Sequence, residues 1–184
     1  MKIIKRSQEL RTVKLQKIGE HLIKIGINAN IMTAISLMSG IISVYFLFNN
    51  YILFFLFATL HLIADGLDGV IARISEETNF GKYFDYISDR FIAFLILIKL
   101  GWFLQDYYVY IITGLFLIAN IVYFISRFKA PILFIRSTAL GVLAVATHPW
   151  FPYTESLLIL GYLTAGAVMV YSLAKQLQWF MKIS

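Results

Sequence analysis

The chain has 184 residues, 60% of them hydrophobic and only 14% charged, with a mean hydropathy of +0.78; a soluble domain carries roughly a quarter charged residues, so a water-soluble globule is excluded. The net charge of +6 is no nucleic-acid signal, because seven of the sixteen Lys and Arg precede residue 25 and would face anionic lipid headgroups beside the first apolar run. The lack of cysteine excludes disulfides and thiolate metal sites, and His21, His61 and His148 are too sparse for an ordinary zinc centre.

In chain order, MKIIKRSQELRTVK has neither the apolar core nor the cleavage site of a secretory signal. Residues 9–27 read as an amphipathic helix, with Leu15, Ile18, Leu22 and Ile25 on one side and Lys14, Lys17, His21 and Lys24 on another. Such a helix lies in the membrane interface. Six apolar stretches follow: Ile31–Phe48, Tyr51–Arg73, Lys82–Trp102, Tyr107–Ser126, Pro131 to just before His148, and Glu155–Leu177. Each is near the roughly 20 residues that cross a bilayer core. Lys and Arg gather at alternate ends of these stretches (Arg73 and Lys82, then Arg127, Lys129 and Arg136, then Lys182), with Lys99 the exception. The positive-inside rule then puts both termini in the cytoplasm. The expectation is an all-α integral protein of the cell membrane in one domain. Residues 1–28 would form a basic interfacial helix and residues 29–184 a bundle of six transmembrane helices.

The chemistry concentrates in two stretches, Asp65-Gly66-Leu67-Asp68-Gly69-Val70-Ile71-Ala72-Arg73 and Gly81-Lys82-Tyr83-Phe84-Asp85-Tyr86-Ile87-Ser88-Asp89. At 100° per residue, Asp65, Asp68, Gly69 and Ala72 share one helix face, and Gly81, Asp85 and Asp89 share another. A short turn joins the stretches, so the two acidic faces can oppose each other. Carboxylates within a span are costly and mark function. Four together repel one another unless cations neutralise them, and two divalent metals balance four negative charges. Gly69, Gly81 and Ala72 leave room for a ligand, and Arg73 suits phosphate. The residues alone describe a cytoplasm-facing carboxylate–metal site for a phosphorylated ligand. Helix capping or solvent exposure explains Glu76 and Glu77 well, but not four aspartates in register with Gly, Ala and Arg.

The pattern D-x-x-D-G-x-x-A-R…G-x-x-x-D-x-x-x-D resembles that of the CDP-alcohol phosphotransferase family, with all eight fixed letters present within 25 positions. Ile74 to Phe80 supplies seven residues where the family commonly has eight, a difference confined to the turn. Ala29-Asn30-Ile31-Met32-Thr33 is similar to the family's Pro-Asn-x-x-Thr, with Ala for Pro. The resemblance implies a metal-dependent phospholipid-biosynthetic transferase that moves a phosphatidyl or archaetidyl group from a CDP-linked lipid to a small alcohol, releasing CMP. It implies that Asp65, Asp68 and Asp85 hold two divalent ions, Mg²⁺ or Mn²⁺, with Asp89 as a further ligand or the general base. Gly69, Ala72, Arg73 and Gly81 would line the nucleotide pocket, with Asn30 and Thr33 contributing, and a homodimer is implied. Gly161 and Gly166 are small enough for close helix contact.

Arg127, Lys129 and Arg136 are the cations available to a phosphorylated acceptor such as glycerol phosphate or inositol phosphate; as positive-inside anchors they have an equally simple explanation. His61, one turn before Asp65, reads as a hydrogen-bonded interior histidine. Two alternatives compete: a CDP-choline or CDP-ethanolamine phosphotransferase acting on diacylglycerol, and a cation transporter with a carboxylate site. The transporter predicts acids near the bilayer midplane and an internal repeat, and this sequence has its acids at one end and no repeat. A noncatalytic scaffold would be expected to lose a motif aspartate, and none is lost.

Overall fold

The computed structural model describes residues 15–75, 78–133 and 136–183, and among these the regular structure is entirely helical. Residues 15–24 form α1. They are followed by α2 (Ala29–Phe46), α3 (Tyr51–Ser75), α4 (Asn79–Leu104), α5 (Tyr107–Ile125), α6 (Arg136–Ala146) and α7 (Thr154–Ile183). Side-chain caps set three of the starts: Asn28 accepts from the Ile31 N–H, Thr78 from the Gly81 N–H and Asp106 from the Tyr108 N–H, each satisfying a first-turn donor. α4 stops where Gln105 turns left-handed at φ 51°. After α5, both Arg127 and Phe128 adopt positive φ, and Pro131 follows.

Among the described residues, four helices, α2, α3, α5 and α7, are long and apolar enough to cross a membrane. The expected six crossings after a separate interfacial helix, with both termini cytoplasmic, are therefore corrected to an all-α membrane protein with four long apolar helices. Two physical reasons account for the difference. α4 has 26 residues but carries Lys82, Asp85, Asp89, Arg90 and Lys99 along its length. α6 has only 11 residues, about 16 Å of helix against a hydrocarbon core of about 30 Å. The chain from Ala130 to Leu133 is not helical, so the predicted fifth stretch loses its first turns. Residues 9–14 of the expected amphipathic helix lie outside the described residues. The part that is described, α1, lies against α3: a Cβ on Gly19 would stand 2.9 Å from Ile74 Cδ1 and 3.2 Å from Val70 Cγ1. Leu22 and Ile23 pack onto a small cluster of Met32, Ala64 and Ile71, while Ile18 and Ile25 stay exposed.

α2 packs most extensively on α3, and next on α4. Ser36 and His61 join α2 to α3, with Ser36 Oγ 2.9 Å from His61 Nδ1 and donating to the His61 carbonyl at 3.1 Å. His61 is thus the hydrogen-bonded interior histidine its setting suggested. Gly40 lets α4 approach, since a Cβ there would stand 2.7 Å from Ile92 Cδ1 and 3.2 Å from His61 Nδ1. Lys99, the charge that breaks the positive-inside pattern, donates to the Tyr45 carbonyl at 2.5 Å, a cation at the C-terminal end of α2 where the helix dipole favours it. The main apolar core lies away from the acidic segments: Val44, Phe54, Ile96, Leu100, Val109, Leu143 and Leu158 meet there. At that end Tyr162 donates to Asp106, the cap of α5, and ties in α7. Trp102, Tyr107, Trp150 and Tyr153 are all exposed there, an aromatic girdle of the kind found at a membrane interface. Gly166 is used inside the chain, against Ile112, and Gly161 stands nearest Val142.

Overpacking a close helix contact costs about 1–3 kcal/mol. Gly40→Val is accordingly expected to lower the thermal midpoint in detergent by several degrees. Gly114, with open space around it, should accept alanine with no loss or a small gain from helix propensity. Equal midpoints for the two variants would contradict this packing.

Candidate active site

The acidic faces of α3 and α4 meet as their helical registers require. Asp65, Asp68 and Asp85 each offer a carboxylate oxygen within 4.8 Å of the others, with Asp68 buried and the other two half-buried. Thr33 on α2 donates to Asp68 Oδ2 at 2.8 Å, with the Ala29 carbonyl a second acceptor 3.1 Å away. That bond fixes one oxygen of Asp68. Two unit charges about 5 Å apart repel by about 3 kcal/mol at an effective dielectric near 20. A cation bound among the three carboxylates would relieve that repulsion. Clustered carboxylate oxygens are also the donor set of a hard divalent ion, Mg²⁺ or Mn²⁺, so the residues fit such an ion.

Beside the carboxylates lies a cavity of about 290 Å³, at the lower end of the range for small-molecule sites. Its walls include Asn30 and Thr33 from α2, Asp68, Gly69 and Ala72 from α3, and Gly81 and Asp85 from α4. Two glycines keep it open. A Cβ on Gly81 would stand 2.8 Å from Asn30 Oδ1, and one on Gly69 would stand 3.5 Å from Arg73 Nη1. The Arg73 guanidinium therefore reaches back over Gly69 from the last turn of α3. The caps Asn28 and Thr78 line the same cavity, so the N-termini of α2 and α4 both open onto it. A helix start offers unsatisfied N–H groups and a partial positive charge, a setting suited to phosphate. The carboxylates of Asp68 and Asp85 and the N-termini of α2 and α4 thus share one recess, with the Arg73 guanidinium beside it at Gly69.

The sequence matches a protein-family model described as CDP-alcohol phosphatidyltransferase over residues 27–182. The chain belongs to that family. It is thus an enzyme of the CDP-alcohol phosphatidyltransferase type, with a carboxylate cluster fit for metal. Two solved structures have a similar fold. Mycobacterium tuberculosis phosphatidylinositol phosphate synthase in complex with manganese and citrate aligns at TM-score 0.66 and 19% identity over 88% of this chain and 86% of that one. The same enzyme with CDP-DAG bound aligns at TM-score 0.62 and 18% identity over 92% of each chain. No curated protein matches the sequence.

In this family member, ten residues singled out from the sequence are brought to one end of α2, α3 and α4. Asp89 is half-buried one turn beyond Asp85 and is not among the three clustered carboxylates. Arg127 and Lys129 are exposed on the turn after α5 and do not line the cavity. The side chain of Arg136 lies outside the described residues. Residues that sequence reasoning passed over include Asn28, Ser75 and Thr78, all on the cavity wall. For the caps a signal was available: Asn28 and Thr78 each stand three residues before the N–H they accept from, the usual place of an N-cap.

The repulsion among the carboxylates gives a stability prediction with a definite sign. In chelator, Asp85→Asn should melt above the unsubstituted enzyme, because one charge of the cluster is gone. Added Mn²⁺ should raise the midpoint of the unsubstituted enzyme by several degrees, as a ligand at 100 times its Kd contributes about 2.7 kcal/mol. The variant should respond little. Differential scanning fluorimetry with and without EDTA checks both signs.

Proposed function

We propose that the enzyme transfers a phosphatidyl group, or its archaeal ether counterpart, from a CDP-linked lipid to a small alcohol and releases CMP. Glycerol phosphate and inositol phosphate are the leading acceptors. The observation that supports this reading is the shared recess: the carboxylates of Asp68 and Asp85, which cluster with Asp65, and the starts of α2 and α4 bound one cavity. A nucleoside diphosphate esterified to a lipid is a ligand that needs both a metal-binding wall and an anion-binding wall.

In this reading Asp65, Asp68 and Asp85 hold two divalent ions, Mg²⁺ or Mn²⁺, with Asp89 a further ligand or the base. When bound, these ions neutralise diphosphate charge and stabilise the leaving CMP. Asn30, Thr33, Gly69, Ala72, Arg73 and Gly81 form the nucleotide wall. Thr33 orients Asp68, and the bare backbones of Gly69 and Gly81 let the diphosphate lie close. The acceptor hydroxyl attacks the β-phosphorus that carries the lipid, and Asp89 takes its proton. The bond from that phosphorus to the bridging oxygen breaks, and the electron pair leaves with CMP. Arg127, Lys129 and Arg136 supply cations for the phosphate of the acceptor.

Lys17, Lys24, Arg73 and Lys82 belong to the same end as the cavity, which favours a cytoplasm-facing site by the positive-inside rule. The assembly we propose is a homodimer. Because Gly166 packs inside the chain against Ile112, its contact would use another lipid-facing surface.

Purified enzyme with Mg²⁺ or Mn²⁺ and CDP-diacylglycerol is expected to release CMP with one member of a panel of glycerol phosphate, inositol phosphate, serine, inositol and phosphatidylglycerol. Loss of a general base typically costs about 10²- to 10⁴-fold, so Asp89→Asn should fall by that much. Turnover only with CDP-choline or CDP-ethanolamine and diacylglycerol would reverse the assigned donor. Silence with every donor would sink the reading.

A further inference from the structure

α4 carries two polar stripes side by side. Asp85 and Asp89 are four residues apart, and so are Tyr86 and Arg90, so the second pair is the first turned by one residue, about 100°. The first stripe meets α3 through Asp85. The second meets α5. Arg90 Nε donates to Asn120 Oδ1 at 2.7 Å, and the Tyr86 hydroxyl reaches the same oxygen at 3.0 Å and the Asn120 carbonyl at 3.2 Å. The Arg90 guanidinium lies over the Tyr86 ring, 4.7 Å from its centre. Asn120 is itself buried and pinned, its Nδ2 donating to the Phe116 carbonyl at 2.7 Å.

The surroundings make this bracket notable. It sits in a groove otherwise walled by apolar side chains such as Phe91, Phe94, Leu117 and Ile121. A guanidinium in an apolar wall is costly unless held, and here one amide oxygen of α5 takes both polar groups of the stripe. A helix docked by leucines alone can roll, because apolar contact has no direction. Hydrogen bonds do. With a side-chain radius of about 5 Å, a roll of about 20° would swing a carboxylate by nearly 2 Å. Metal–ligand distances are held to about 0.2 Å.

We propose that Arg90, gripped by Asn120 and Tyr86, is a positioning residue that fixes the rotation of α4 and thereby presents Asp85 and Asp89 to the carboxylates of α3. The inference rests on the reading of Asp65, Asp68 and Asp85 as metal ligands. Its consequence is that a residue on α5, outside the cavity lining, sets the metal affinity of a site between α3 and α4.

The test is Mn²⁺ binding to the purified full-length protein, followed by the electron paramagnetic resonance signal of free Mn²⁺, with no substrate and no turnover. Asn120→Leu removes the shared acceptor and is expected to weaken Mn²⁺ binding at least tenfold. Asn120→Asp keeps an oxygen facing Arg90 and is expected to stay within about threefold of the unsubstituted protein. Tyr86→Phe, which deletes one hydroxyl and leaves the ring beneath Arg90, should weaken binding by a smaller factor. It keeps the test decisive if the leucine variant does not fold. Unchanged Mn²⁺ affinity in a folded Asn120→Leu, or in Tyr86→Phe where the leucine variant does not fold, overturns the positioning role while the metal site stands. Failure of the unsubstituted protein to bind Mn²⁺ overturns the metal-ligand reading, and this inference falls with it.

Discussion

The mutual repulsion of three carboxylates held within 4.8 Å is the constraint on which the rest of this structure turns. Left to themselves, Asp65, Asp68 and Asp85 would drive α3 and α4 apart at the end where they meet. The helices stay together because the other end is the better packed. Apolar contacts among α2 to α7 concentrate around Phe54, Ile96, Leu143 and Leu158, away from the acids, while the cluster beside the cavity comprises only Met32, Ala64 and Ile71 with their neighbours. One end carries stability and the other carries charge.

That division explains several local choices. Gly40 brings α4 against α2 and α3 beside His61, one turn from the acids. Thr33 uses its hydroxyl on Asp68 as well as on its own helix, so α2 contributes an orienting bond and a helix start to the recess. Gly69 and Gly81 leave volume where side chains would fill it. The polar groups that hold α4 from its other side, Tyr86, Arg90 and Asn120, lie in an apolar seam where direction must come from hydrogen bonds.

The membrane character follows the same logic. Helices α2, α3, α5 and α7 are apolar enough to cross a bilayer, and their outward faces carry many exposed large apolar side chains, Ile52, Ile118, Leu160 and Met181 among them. α4 departs from that composition because it carries the chemistry. Lys82, Asp85, Asp89 and Arg90 raise its polarity; Lys82 lies over the Phe128 ring and Arg90 donates to Asn120 on α5.

The sequence by itself determined the class of molecule, the acidic faces and the family. Composition excluded a soluble globule, and helical periodicity alone aligned Asp65 with Asp68 and Asp85 with Asp89. Those are one-dimensional properties, carried by spacing along a single helix. Periodicity could not count the crossings: it read α4 and the stretch from Pro131 as spans, because an apolar window does not register a run of inward-facing charges or a non-helical start. Nor could it find the bracket on Asn120, since an asparagine in a long apolar stretch reveals its purpose only when another helix places Arg90 beside it. Which stripe of α4 faces which neighbour, and that the starts of α2 and α4 open on one cavity, were decided by tertiary packing, because both are relations between helices that share no local sequence.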